Sequence, residues 1–302
     1  MKGQISNFAQ VASVRRMTVT SGAMQDLKII DCDNGKLRFI LNECKALDIM
    51  QVYHEGQNVS FISKNGFTSK NSAFLGRFEG GMLYTCGLDA IGGVEGVDLH
   101  GTFHNNKADV FRAECNENGI VVEAYIYNTQ LFGRNLKMHR KIFSAIGSET
   151  LTLEDKLINC GYGDEDYCLL YHVNVGYPLL DDGAKVVADI AKCDPRNDWA
   201  KERVGVREVM SDAVPLEDET CYFLTLNKPE ASLVNEKVGK KFTLRYSAET
   251  LPCFVQWKSM ASGDYALGLE PATSKLDLDF KTAKIKAGET IDFRLDLSVT
   301  KL

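Results

Sequence analysis

Strict alternation is the feature that most limits what this chain can fold into. Ile291, Phe293, Leu295, Leu297 and Val299 occupy every second position through the C-terminal stretch, the two-residue period of a strand with one buried face. Before it, Leu276, Leu278 and Phe280 alternate with Asp277 and Asp279, and Lys286-Ala287-Gly288-Glu289 supplies a turn; the pattern predicts adjacent antiparallel strands in a closing sheet. Leu37, Phe39 and Leu41, and Phe242, Leu244 and Tyr246, repeat the same period. Turn signals at Asp33-Asn34-Gly35, Asn116-Glu117-Asn118-Gly119 and Asp181-Asp182-Gly183 separate candidate strands. The one helical candidate, Asp198 to Met210, is interrupted by Gly205. Many strands without intervening helices predict an all-β fold, a large antiparallel β-sandwich, in preference to any βαβ architecture. At 302 residues the chain reads as a single domain spanning 1–302, since all-β domains routinely reach this size.

Charge and cysteine usage narrow the partners. A formal net charge of −6 argues against nucleic acid, which selects basic surfaces. The N-terminus lacks the continuous apolar run of a secretory signal, and no later run is long enough to cross a bilayer. Nine cysteines without a CxxC pair fit a reduced, cytoplasmic protein whose thiols act mostly as small buried apolar groups. Edge strands leave a homodimer open.

Polar residues inside apolar strand patterns mark the candidate site. In Leu170-Tyr171-His172-Val173-Asn174-Val175-Gly176, His172, Asn174 and Gly176 share one face, opposite Tyr171, Val173 and Val175. In Tyr265-Ala266-Leu267-Gly268-Leu269-Glu270, Glu270 shares its face only with Ala266 and Gly268, small neighbours that leave room for a ligand beside the carboxylate. A solvated second face is the competing explanation for each residue taken singly. Leu99-His100-Gly101, after the glycine-rich run Gly76-Arg77-Phe78-Glu79-Gly80-Gly81, completes a set that suggests a sugar site.

A sugar also needs a hydrogen-bonding rim. In Pro252-Cys253-Phe254-Val255-Gln256-Trp257-Lys258, the side chains of Phe254, Gln256 and Lys258 share a face, which makes Gln256 and Lys258 candidate substrate contacts and turns Trp257 toward core. Lys258 together with Arg77 would favour an anionic sugar; a solvated lysine is the alternative. His100 and His104 are four apart, but Gly101 and the missing His-Glu-x-x-His glutamate argue against zinc. His104 reads as a cleft or loop residue, and His54 and His139 as surface residues.

Thr85-Cys86-Gly87-Leu88, Leu99-His100-Gly101, Leu170 to Gly176 and Leu269-Glu270-Pro271 follow one another in order, and in this the chain resembles the aldose 1-epimerase (galactose mutarotase-like) superfamily, a divergent branch of it. The resemblance implies a galactose-mutarotase-like β-sandwich with a monosaccharide or sugar derivative in an open cleft. It implies His172 as general acid, Glu270 as general base and His100 as a substrate-binding histidine. Arg77 would hold a sugar hydroxyl, although the Gly-Arg-x-Ala-Asn run of better-known mutarotases is absent here. Asp194 and Asp198 are candidates for the family's sugar-binding aspartate, and Asn174 joins the substrate-binding set.

The chemistry suits those residues. Anomer exchange needs a base at the C1 hydroxyl and an acid at the ring oxygen; a carboxylate with pKa near ~4.3 and a histidine near ~6.5 fill the two roles at neutral pH. No metal, nucleotide or other cofactor is required. The expectation is a mutarotase-like isomerase of carbohydrate metabolism. A noncatalytic carbohydrate-binding protein on the same fold, or another sugar isomerase or epimerase abstracting a proton from carbon, are the alternatives.

Overall fold

The computed structural model describes residues 3–69, 72–277 and 280–302. Its strands form two antiparallel sheets. Ser13–Thr18, Lys28–Asp33, Leu37–Asn42, Asp48–His54 and Gln57–Asn58 pair in sequence order as a five-stranded meander. The second sheet has thirteen strands among the described residues, and a sheet that long must curl to close a core. Leu37, Phe39 and Leu41 from the small sheet pack with Ile126, Met138, Leu153, Leu244 and Leu297 from the large one, so the alternating faces of both sheets meet in one layer, as the sequence pattern predicts.

The C-terminal alternation is the strand Thr290–Lys301, which buries Phe293, Leu295, Leu297 and Val299. It does not form a hairpin with the segment before the turn. Thr290–Lys301 pairs with Lys240–Tyr246 and Thr150–Asn159, whereas the short strand Ala283–Ile285 pairs with Glu165–Val175. Leu276 and Asp277 lie outside any strand, and the expected strand positions Leu278 and Asp279 lie outside the described residues. The helical candidate reduces to Asp198–Glu202, capped by the Asn197 side chain on the Ala200 N–H, followed by a 3-10 turn at Val204–Val206.

Three neighbouring strands of the large sheet carry the site and a fourth, Leu83–Leu88, flanks them. Leu83–Leu88 pairs with Glu165–Val175, which pairs with Ala266–Ala272, which pairs with Cys253–Ser259. Glu165–Val175 and Ala266–Ala272 are almost wholly buried on both faces. This explains why polar residues on the supposed second face are not solvated: loops cover that face.

Behind these strands a buried polar network ties the sheets together. The Arg140 guanidinium donates to both carboxylate oxygens of Asp155, to Asp48 Oδ1 at 2.6 Å, to the Ala46 carbonyl at 2.9 Å and to Thr85 Oγ1 at 3.0 Å. Tyr171, beside His172 but on the opposite strand face, donates to Asp155 at 2.8 Å. His104 Nδ1 meets Asp48 Oδ2 at 2.7 Å and its ring stacks on Tyr84. His104 therefore belongs to this network rather than to a cleft. His54, expected at the surface, is fully buried with Nε2 3.1 Å from Glu149 Oε1; His139 is partly exposed and paired with Glu123.

Candidate active site

Alternation along two antiparallel strands places His172 and Glu270 side by side. The pairing of Val173 with Leu269 sets their neighbours in cross-strand register, and His172 Nε2 lies 3.3 Å from Glu270 Oε1. The two groups are adjacent at the floor of a cavity rather than facing each other across it. That cavity, about 500 Å³, is lined by both, and by His100, Trp257, Phe78 and Phe61 among others. Its size falls in the roughly 300–1,000 Å³ span of small-ligand pockets.

The small neighbours of the sequence analysis have different uses. A Cβ at Gly268 would collide with Glu270 Oε1, so the space beside Gly268 holds the glutamate's own folded-back carboxyl. A Cβ at Gly176 would meet the Phe61 backbone at 2.6 Å and 2.8 Å; there the gap admits the Ser60–Phe61 segment, not a ligand.

Burial governs the electrostatics. Desolvation raises the Glu270 carboxyl well above the usual range, Glu219 adds to the effect and Arg196 opposes it. Desolvation, with His100 nearby, lowers the His172 ring to about 3, against a smaller opposing contribution from Asn174. His100 is lowered to about 4 by burial, despite the contact of its Nδ1 with the Ile91 carbonyl at 2.9 Å. Glu270 Oε1 and His172 Nδ1 have no hydrogen-bond partner among the described residues. Burial thus favours the uncharged form of both members, a protonated Glu270 beside a neutral His172, over an ion pair.

Aromatic rings wall the histidine. His172 meets Trp257 edge-on at 5.3 Å between centroids, Phe78 at 5.5 Å and His100 edge-on at 5.6 Å. His100 adopts a left-handed backbone, φ 62°, immediately before Gly101 at φ 76°, a tight loop that turns its ring toward His172.

Other expected contacts lie elsewhere. Arg77 is buried, bound to Asp98 and to the Ser72 carbonyl, and does not line the cavity; Asp98 also accepts the Phe74 N–H, so this pair braces the short helix Phe74–Arg77 and the Phe78 that caps it. Asn174 is fully buried and donates to the Gly81 and His172 carbonyls at 3.0 and 2.9 Å, a backbone clamp rather than a ligand contact. Gln256 and Lys258 share a face as expected, but not the face that lines the cavity. Gln256 exchanges hydrogen bonds with the Arg207 side chain and carbonyl, and Lys258 donates to the Val206 and Val209 carbonyls. Trp257, expected in the core, lines the cavity together with Ser259 of the same strand, and its Nε1 donates to Glu219 Oε2 at 2.6 Å. Neither Asp194 nor Asp198 lines the cavity; Asp194 pairs with Lys192 and Lys275.

Sequence reasoning missed Arg196 and the acidic residues Glu217, Asp218, Glu219 and Asp264, all of which line the cavity. The run Glu217-Asp218-Glu219 directly before a strand was the available signal. Among the described residues no cluster of His, Cys, Asp and Glu is arranged to hold a metal ion, and no helix is long and apolar enough to cross a membrane.

A family model described as "Domain of unknown function (DUF4432)" matches residues 24–299. No protein of curated function matches the sequence. Among solved structures, one from Klebsiella pneumoniae, provisionally described as an aldose 1-epimerase, superposes with a TM-score of 0.87 at 20% identity over 97% of this chain and 86% of its own. A provisionally described mutarotase from Salmonella typhimurium gives 0.70 at 13% identity over 99% and 96%. A galactose mutarotase-like protein from Lactobacillus casei gives 0.63 at 12% over 90% and 100%. The fold is the one that these structures share.

Proposed function

Because the chain belongs to the DUF4432 family, whose description names no reaction, we propose its activity from the site: it is a mutarotase-like isomerase that interconverts the anomers of an uncharged monosaccharide. The observation that carries this reading is the contact of His172 with Glu270, 3.3 Å apart at the floor of an aromatic-walled cavity of about 500 Å³. A fold alone would not support it, since one scaffold hosts many chemistries.

The reaction needs one mobile proton and two groups to pass it between. One group takes the proton of the C1 hydroxyl while the other protonates the ring oxygen; the bond from C1 to the ring oxygen breaks and a carbonyl forms at C1. After rotation about C1–C2, closure returns both protons. With the resting proton on Glu270, Glu270 is the donor to the ring oxygen and His172 the acceptor from C1 during opening, and the two exchange roles on closing. This reverses the assignment expected from unperturbed pKa values, for which burial of both groups is the cause. Each positioned transfer is worth roughly 10²–10⁴-fold.

Charge selects the substrate class. Arg196 is the one lysine or arginine lining the cavity among the described residues, whereas Glu217, Asp218, Glu219 and Asp264 all line it. Lys258 and Arg77, which would have drawn an anionic sugar, are engaged with protein groups elsewhere. An uncharged sugar enters without the repulsion that a sugar phosphate or uronate meets.

Anomer exchange measured by NMR on neutral, acidic and phosphorylated sugars tests this. Accelerated exchange of a neutral aldose, at least tenfold above that of its phosphorylated form, is the expected result. Binding of sugars without any exchange would instead favour a noncatalytic carbohydrate-binding protein.

A further inference from the structure

We infer that Arg196 is the substrate-orienting residue of this cavity, donating from its two terminal amino groups to a pair of sugar hydroxyls; the inference rests on the sugar-site reading above. Arg196 follows Pro195 at the end of the strand Lys185–Pro195, and its backbone N–H bonds to the Cys221 carbonyl of the neighbouring strand at 3.0 Å. The chain is therefore anchored where the side chain enters the cavity.

The guanidinium is pinned from one side only. Its Nε donates to Asp277 Oδ2 at 2.7 Å, and NH1 stands 3.8 Å from Glu219 Oε1, too far for a hydrogen bond. Neither terminal amino group makes a hydrogen bond among the described residues, and the side chain is 36% exposed in the cavity wall. A planar fork with its Nε fixed presents two parallel donors, the geometry that suits adjacent oxygens. Asp277 and Glu219 offset its charge, so it acts on an uncharged ligand as a directional donor rather than as an anion trap.

Position relative to the reacting pair supports the same role. Arg196 lies close enough to Glu270 and His100 to act on both electrostatically, and Glu219 links it to Trp257, whose indole N–H donates to the same carboxylate. The cavity thus has an aromatic wall and a donor fork joined through one glutamate. With Arg77 withdrawn behind Asp98, no other arginine among the described residues reaches the cavity.

The test uses glucose and galactose as probes, with binding followed by saturation-transfer NMR and anomer exchange measured separately, on the wild type, Arg196→Met, Arg196→Lys and Glu270→Gln. Arg196→Met is expected to weaken sugar binding roughly 10–100-fold, the worth of hydrogen bonds from a charged donor, with a melting temperature close to the wild type. Arg196→Lys keeps the charge but not the fork and is expected to recover only part of the loss, which also decides the matter should the methionine variant fold poorly. Unchanged binding in both variants overturns the role of Arg196 and leaves the proton-transfer reading standing if Glu270→Gln abolishes exchange. Lost binding in the Arg196 variants with normal exchange in Glu270→Gln supports Arg196 and overturns the role of Glu270. Failure of the wild type to bind either sugar overturns both.

Discussion

Removing Arg140 should destabilise the protein far more than a surface substitution, and by an amount that depends on pH in a defined direction. In Arg140→Met, Asp155 keeps, among the described residues, only the Tyr171 hydroxyl, while Asp48 keeps His104, the Thr85 N–H at 2.7 Å and the Thr85 hydroxyl. Two buried carboxylates then share a site that has lost the guanidinium bound to both. Breaking a buried ion pair by removing one partner costs about 3–5 kcal/mol. At about 2 °C per kcal/mol for a chain of this size, the melting temperature should fall by roughly 6–10 °C at pH 7. In the intact protein, burial pushes the Asp48 carboxyl up, but the His104 hydrogen bond and the Arg140 charge outweigh it and hold the carboxyl below its ordinary value. Asp48 therefore stabilises the wild type at every pH above its unfolded pKa near ~3.9, and that contribution is lost as the pH falls through the lower folded value. Without Arg140, burial is less opposed and protonation relieves the stranded charge, so the gap between variant and wild type should narrow as the pH falls from 7 to 5. Adding Asp155→Asn to Arg140→Met should cost little more than the single change, because the two residues act as one unit. Thermal melts by circular dichroism measure all of this; a loss under 2 °C, a gap that widens on acidification, or strict additivity would refute the reasoning.

Gly268→Ala should lower kcat by up to about 10²-fold without altering any charge, because the new Cβ displaces the Glu270 carboxyl; a kcat within twofold of wild type would show that the carboxyl has room to spare. The pH profile of kcat/KM should stay flat through pH 6.5, falling only when Glu270 loses its proton at high pH and when His172 gains one near its lowered value of about 3. A descending limb centred at 6.5 would return the acid role to His172. Sugar binding should change the fluorescence of the Trp199→Phe variant, in which Trp257 is the remaining tryptophan, and leave that of Trp257→Phe unchanged; the reverse pattern would move the ligand away from the cavity wall.

The fold and the meeting of His172 with Glu270 were legible in the sequence because both depend on a period of two. Alternation reports which side chains share a face, and that was enough to bring out His172 and Glu270 and to assign the core side of Phe39, Leu244 and Leu297. It does not report which face meets the cavity. On Cys253–Ser259 both faces are covered, and the 196–218 segment receives Gln256 and Lys258 through its own carbonyls, so polarity pointed to the wrong side and Trp257 to the wrong place. Asn174 misled for a similar reason: a buried amide that clamps two backbone carbonyls has the same sequence signature as one that meets a ligand. Arg196 and Glu217 to Glu219 lie in irregular segments, where no period exists to show orientation. The pairing of Thr290–Lys301 with Lys240–Tyr246 rather than with its preceding segment was likewise set by long-range packing.

The most direct measurement is anomer exchange of a neutral aldose at pH 7, by NMR, for the wild type beside Glu270→Gln and His172→Phe, with sugar binding followed in the same samples. Acceleration by the wild type, a fall of roughly 10²–10⁴-fold in each variant, and sugar still bound by Glu270→Gln is the expected result. Exchange that proceeds at the wild-type rate in either variant would contradict the proton transfer assigned to the pair.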